Sequence, residues 1–251
     1  SGKVLATFVL HSSCMFPALA LIVTMLVTSG VHIAESASTP VPAIEAAEKP
    51  IRAVYLTSGL AAGKSFTKYL DLLDTTEMNA VVIDLKDANG RLAFIPTTDA
   101  LKRFSPQRPT IADLAARVRS IHEQGGYAIA RIPVFQDTWY AERTPSEAIR
   151  AASGAIWRDG IGGAWLDPAS PGPREYAIAL AREAAALGFD EINLDYIRFP
   201  SDGPGFRGIR YPRWDGKRPK REVIRAFAEA INRDLRCYGI RVSADLFGLV
   251  F

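Results

Sequence analysis

Within GFDEINLDYIRFPSDG, residues 188–203, an apolar run of strand type carries Asn193 and Asp195. Alternate residues of a strand face the same side, so the amide stands where it can orient the carboxylate and hydrogen-bond to it. Burying a carboxylate is costly unless it is paired or given chemical work. Asp195 is thus open to two readings: a catalytic carboxylate, or half of an ion pair with Arg131 or Arg198 that only holds the structure together. Asp245, in IRVSADLFG (240–248), lies on the next strand-type run, and neighbouring strands are about 4.8 Å apart. Paired carboxylates roughly 5–5.5 Å apart serve retaining glycosidases as nucleophile and acid/base, whereas roughly 6.5–9.5 Å leaves room for an inverting water. The spacing leans to the shorter separation, with Asp195 as principal carboxylate and Asp245 as candidate acid/base. Asp84 in AVVIDLK (80–86) and Arg131 in YAIARIPVF (127–135) read as sugar-positioning groups beside Asn193.

Other residue types narrow the chemistry. Asp87, in KDANG, has the composition of a turn. Trp139, Trp157 and Trp165 fall in the long connection 136–173, and Trp214 follows with Tyr211. Such rings fill cores or cover the apolar faces of sugars, and Trp165 and Tyr196 are the candidate substrate-binding rings. The basic, aromatic stretch RGIRYPRWDGKRPKR (207–221) reads first as a solvated loop and second as a contact for an acidic glycan. SGLAAGKS (58–65) has three residues between Gly59 and Gly63 where a phosphate-binding loop needs four, so nucleotide hydrolysis is excluded. His11 and His32 are near the N-terminus and His122 is near a helix end, which leaves no histidine cluster for zinc and no Ser-His-Asp system. Carboxylate hydrolysis needs no metal or organic cofactor.

The elements that must position these groups are short β-type runs alternating with helical stretches. Strands are predicted at 51–57, 80–86, 127–135, 191–199 and 240–248, and helices at about 66–77, 110–124, 174–187 and 219–236. Alternation of this kind builds a parallel sheet. Each strand sends one polar residue of its C-terminal half to one side: Thr57, Asp84, Arg131, Asp195 and Asp245. Val81, Ile83 and Leu85, or Ile192, Leu194 and Tyr196, form the opposite, helix-packing faces. Polar groups converging at strand ends point to a (β/α)8 barrel rather than an open sheet that is apolar on both sides. The chain stops at Phe251, just after the fifth strand, so the expectation is a barrel truncated at that point, lacking any catalytic group of strands six to eight and inactive as a fragment.

Residues 4–28 are mostly apolar, follow Lys3 and lead into a small, polar exit, which reads as a signal peptide or membrane anchor within 1–35. SASTPVPAIEAAEKP (36–50) reads as a flexible linker. The domain from residue 51 is thereby expected to be exported, whether periplasmic, secreted or anchored. Cys14 lies in that segment and Cys237 is the only other cysteine, so a chain cleaved after the signal is expected to form no internal disulfide. With 48% hydrophobic residues, 23% charged and a net charge of +3, the composition is that of a globular domain with a sizeable core, and gives no case for nucleic acid.

LGFDEINLDYIRFPSDG, together with MNAVVIDLKDANGRLAF, GGYAIARIPVFQD, IWRDGIGGAWLDP and GIRVSADLFGLV, resembles a bacterial family of (β/α)8 proteins assigned as glycoside hydrolases and often exported. The resemblance covers 51–251. More distantly, the blocks are similar to α-amylase-like barrel glycosidases, in which an Asp ending strand four is the nucleophile. The resemblance implies Asp195 as nucleophile, Arg198 as its partner or a substrate contact, and a polysaccharide or oligosaccharide substrate. The rival expectation is a non-catalytic carbohydrate-binding or envelope-assembly protein on the same barrel.

Overall fold

The computed structural model describes residues 4–8, 50–201 and 203–246. Five strands, β2 (Ala53–Leu56), β3 (Ala80–Asp84), β4 (Tyr127–Pro133), β5 (Glu191–Asp195) and β6 (Arg241–Leu246), lie side by side in chain order and all parallel. β1 (Val4–Phe8) runs antiparallel along the far side of β6. The N-terminal segment read as an export signal therefore begins with a strand; its remainder, Cys14 and residues 36–49 of the linker lie outside the described residues.

Helices connect consecutive strands: α1 (Ser58–Ala62) and α2 (Phe66–Thr75) after β2, α3 (Asp99–Lys102) and α4 (Leu114–Glu123) after β3. α5 (Thr138–Arg143) and α6 (Pro171–Ala186) follow β4, and α7 (Lys220–Leu235) follows β5. Local sequence sets several of these ends. Asp113 caps α4 by accepting from Ala116 N at 2.8 Å, and Asp137 caps α5 by accepting from Tyr140 N at 2.7 Å. Pro171 opens α6, where a missing N–H costs nothing. Gly188, at φ 95°, takes the left-handed turn between α6 and β5 that a side chain would resist.

The outward faces are as apolar as the alternation requires. Val81, Ile83, Ile192 and Leu194 are buried beneath the helices. α6, which packs on β4 and β5, buries Ala177, Leu180, Ala181 and Ala184, and its three alanines let the helix lie close to the sheet. Burying a side chain such as Leu180 contributes about 1.5–3 kcal/mol. One tie to this layer is polar: Glu183 of α6 accepts hydrogen bonds from the backbone N–H and hydroxyl groups of Thr97 and Thr98.

Four predicted strands run too long, among them the third, which ends at Pro133 rather than 135. β2 stops at Leu56, and Thr57 instead caps α1 by accepting from Leu60 N. β3 ends at Asp84, β5 at Asp195. After Asp195 the alternation breaks, because Tyr196 has φ 54°. Its ring turns to the strand-end side instead of continuing the helix-packing face. The short helices α1, α3 and α5 were not anticipated, since four to six residues are too few to display a period.

Candidate active site

The register brings the polar residues level. Asp84 of β3 pairs with Arg131 of β4, and Arg131 with Asn193 of β5. The Arg131 guanidinium spans the two carboxylates: Nη1 donates to Asp84 Oδ1 at 2.6 Å, while Nη2 and Nε donate to Asp195 Oδ2 at 2.5 and 3.2 Å. All three side chains are nearly buried, at 14%, 9% and 10% exposure. Burial disfavours the cation, but the facing carboxylates outweigh it and raise the Arg131 pKa above that of an ordinary arginine.

Further hydrogen bonds fix the two carboxylates. Tyr55 of β2 donates its hydroxyl to Asp84 Oδ2 at 2.5 Å, and its ring lies 5.4 Å from the guanidinium. Burial, then that carboxylate, raises the Tyr55 pKa and keeps the phenol protonated. The Tyr196 backbone N–H donates to Asp195 Oδ1 at 2.7 Å, so the left-handed residue also holds the aspartate. Below this level Asn193 Nδ2 donates to Asp245 Oδ1 at 3.1 Å and to Ser243 Oγ at 3.2 Å, and Ser243 donates to the buried Glu191 at 2.5 Å. The face opposite the helices thus carries a polar column across β3 to β6.

A pocket of about 380 Å³ opens over the strand ends, lined by Tyr55, Asp84, Lys86, Arg131, Gln136 and Tyr196 among others. The loop after β4 supports its wall. Asp159 accepts from Gln136 Nε2 at 2.5 Å, Trp165 Nε1 at 2.8 Å and the backbone N–H groups of Ile161 and Gly163. Burial works against its charge, yet these bonds prevail and lower its pKa. Behind the pocket, Lys86 Nζ and Asp137 Oδ2 meet at 2.8 Å with both side chains fully buried, which ties the loop after β3 to the start of α5. Gly90 packs against that carboxylate so closely that a Cβ would lie 2.0 Å from Asp137 Oδ1.

Asp84, Arg131 and Tyr196 stand on the pocket, with Asp195 held directly behind Arg131. Asn193 and Asp245 lie on the same face, hydrogen-bonded to each other, and neither is among the residues that line the pocket. Trp165 is placed differently from the expectation of a sugar platform: it is 2% exposed, donates to Asp159 and packs edge-on against Tyr196 at 5.8 Å. A ring so covered has no face for a sugar and acts by supporting Tyr196. Arg198 lies over Trp165 at 4.9 Å and donates to Ser201 Oγ at 3.0 Å, while the guanidinium that reaches Asp195 is that of Arg131. Asp87 is a turn residue, accepting from the N–H groups of Asn89 and Arg91. Tyr55 and the Lys86–Asp137 pair are additions. Tyr55 shared the parity of Thr57 and was legible by it, whereas nothing in the sequence links Lys86 to a residue 51 positions away. Among the described residues no group of three His, Cys, Asp or Glu side chains is placed to hold a metal ion.

A hypothetical protein from Ruminiclostridium thermocellum is 30% identical to this chain, with a TM-score of 0.70 over 79% of this chain and 100% of that one. The chain is also similar to alpha-L-fucosidase isoenzyme 2 from Paenibacillus thiaminolyticus (18% identity, TM-score 0.52) and to a Flavobacterium johnsoniae chitobiase (17%, 0.54). Those matches cover 78% and 76% of this chain but only 32% and 30% of the enzymes, so this chain spans about a third of their length. At such identities the likeness is one of fold, and it places the five parallel strands and their connecting helices among the barrel architectures of glycoside hydrolases. No curated protein sequence matches the chain. A family pattern described as "putative glycosyl hydrolase domain" matches residues 53–251, and the chain belongs to that family.

Proposed function

We propose that the domain is a glycoside hydrolase that cleaves an extracellular or cell-envelope polysaccharide by carboxylate catalysis. Asp195 is the nucleophile or principal carboxylate, Asp245 the acid/base, and Asp84, Arg131 and Asn193 position the sugar. The observation that carries this reading is the Asp84–Arg131–Asp195 bridge beneath a pocket at the C-terminal ends of the strands, where barrel enzymes build their active sites. A carboxylate fixed by a guanidinium and a backbone N–H is suited to attack or to stabilise an oxocarbenium-like centre, rather than to donate a proton. Action outside the cytoplasm rests on the apolar character of residues 4–28.

One observation favours a second reading, a non-catalytic carbohydrate-binding protein: Arg131 lines the pocket whereas Asp195, ion-paired to it, does not, and a substrate must displace or share that ion pair. The experiment compares the full-length protein with its Asp195→Asn variant on a panel of envelope glycans, following reducing ends and binding separately. The glycosidase reading expects cleavage by wild type, a loss of about 10³-fold or more in kcat on removing the nucleophile, and retained binding. Binding without cleavage of any glycan by wild type supports the second reading.

A further inference from the structure

The turn after β3 has a cavity on each side. Asp87 and Ala88 line the pocket over the bridged carboxylates, whereas Arg91 lines a second hollow of about 430 Å³ with Ser105, Gln107, Arg108, Trp139 and Arg143. The floor of this hollow is fixed. Trp139 donates its Nε1–H to Phe104 O at 3.1 Å and its backbone N–H to Asn89 O at 2.7 Å. Two guanidinium groups lie against its indole, Arg91 at 4.6 Å and Arg143 at 3.0 Å from the ring centroid. Stacking holds a guanidinium plane while leaving its in-plane N–H groups available, and Arg143 gives one of its own to Trp139 O at 3.2 Å.

The charge in this hollow is one-signed. Its lining contains three arginines and no acid. Among the described residues no carboxylate forms an ion pair with Arg91, Arg108 or Arg143. Glu142, the acid next in sequence to Arg143, is taken by Arg158 at 2.7 Å. Three permanent cations gathered without a counter-charge repel one another, and an anion relieves that repulsion. The guanidinium fork fits carboxylate and phosphate oxygens in pairs.

We propose that this hollow is a second saccharide subsite that binds the anionic group, carboxylate or phosphate, of an acidic polysaccharide lying across the Asp87–Arg91 turn. The inference deepens the glycosidase reading and rests on it, by naming the substrate class. The test titrates the 251-residue chain by calorimetry with an oligogalacturonate, a phosphomannan oligomer and a neutral maltooligosaccharide of matched length. At least one acidic probe is expected to bind at least about tenfold more tightly than the neutral one, and which acidic probe binds assigns carboxylate or phosphate. Arg108→Gln with Arg143→Gln should weaken the acidic probe about tenfold or more and leave the neutral one unchanged. Arg108→Gln alone repeats the measurement should the double variant fold poorly, and Arg225→Gln on α7 controls for general charge.

No saturable binding of either acidic probe overturns the inference. So does equal binding of the neutral probe, undiminished binding by the arginine variants, or an equal loss with Arg225→Gln. Binding is read without turnover, which separates the two ideas. Arginine-dependent binding with no hydrolysis by the full-length protein sinks only the glycosidase reading, whereas cleavage of neutral glycans by that protein without such binding sinks only the acidic subsite.

Discussion

Arg131 is the residue on which the site turns, because two carboxylates from neighbouring strands share its guanidinium in near-complete burial. Replacing it with Met keeps the packing volume but removes the guanidinium that Asp84 and Asp195 share. Breaking a buried pair by removing one partner costs about 3–5 kcal/mol, so Arg131→Met should lower unfolding free energy in urea by that amount at neutral pH. A carboxylate that loses a facing cation is in general easier to protonate, so the variant regains stability relative to wild type as pH falls. The difference from wild type should therefore narrow toward acid pH; a constant difference would mean that packing, not charge, is what Arg131 supplies. The bridge was half legible beforehand. Strand parity put Asp84, Arg131 and Asp195 on one face and offered Arg131 as a partner for Asp195. It did not reveal that one guanidinium serves both acids, nor that Tyr55 rather than Thr57 completes the set. Parity also failed at Tyr196, where a left-handed residue ends the alternation and faces the ring into the pocket.

At the scale of elements, the parallel strands and the longer helices followed from period and capping, but the connection after β4 did not. Its order comes from contacts between residues with no common period, chief among them the four hydrogen bonds collected by Asp159. Sequence shows only a long polar loop with tryptophans, and so Trp165 was read as a sugar platform when it is the loop's internal support. The lowered pKa of Asp159 makes that order dependent on pH. A carboxyl whose folded pKa lies below its unfolded value contributes stability that is complete above the unfolded value, about 3.9, and is lost as pH falls through the folded value. Asp159→Asn removes the charge but not the shape. It should destabilise the protein by about 1.5–3 kcal/mol at pH 7, the range for hydrogen bonds to a charged group. The two proteins should converge below the ordinary aspartate range. Parallel urea curves from pH 7 down to pH 3 test this, and a gap that persists undiminished at the acid end would exclude the assigned role.

For the whole molecule, the strand order β1-β6-β5-β4-β3-β2 puts β5 and β4 at the centre of the sheet. Every residue of β5 is buried, and β4 is buried at all but Tyr127 and Arg131. By contrast β2, hydrogen-bonded to β3 at the edge of the described sheet, leaves Tyr55 47% exposed, and most of β6 is half-buried. Local opening follows burial and paired backbone, so the site is assembled across a gradient of stability: Asp195 and Arg131 on the rigid centre, Tyr55 on the margin. Amide hydrogen exchange should therefore be slowest at Ala130, Ile132, Ile192 and Leu194, approaching the free energy of global unfolding, and fast at Val54 and Tyr55. Ile192→Ala, at a residue with no exposed surface, should cost about 2–5 kcal/mol and speed exchange throughout the sheet, because it weakens the global unit. Val54→Ala, at a half-buried position, should cost much less and speed exchange mainly within β2. Exchange at β2 as slow as at β5, or a uniform response to both substitutions, would show that the sheet opens as one body and that the carboxylate bridge has no rigid side.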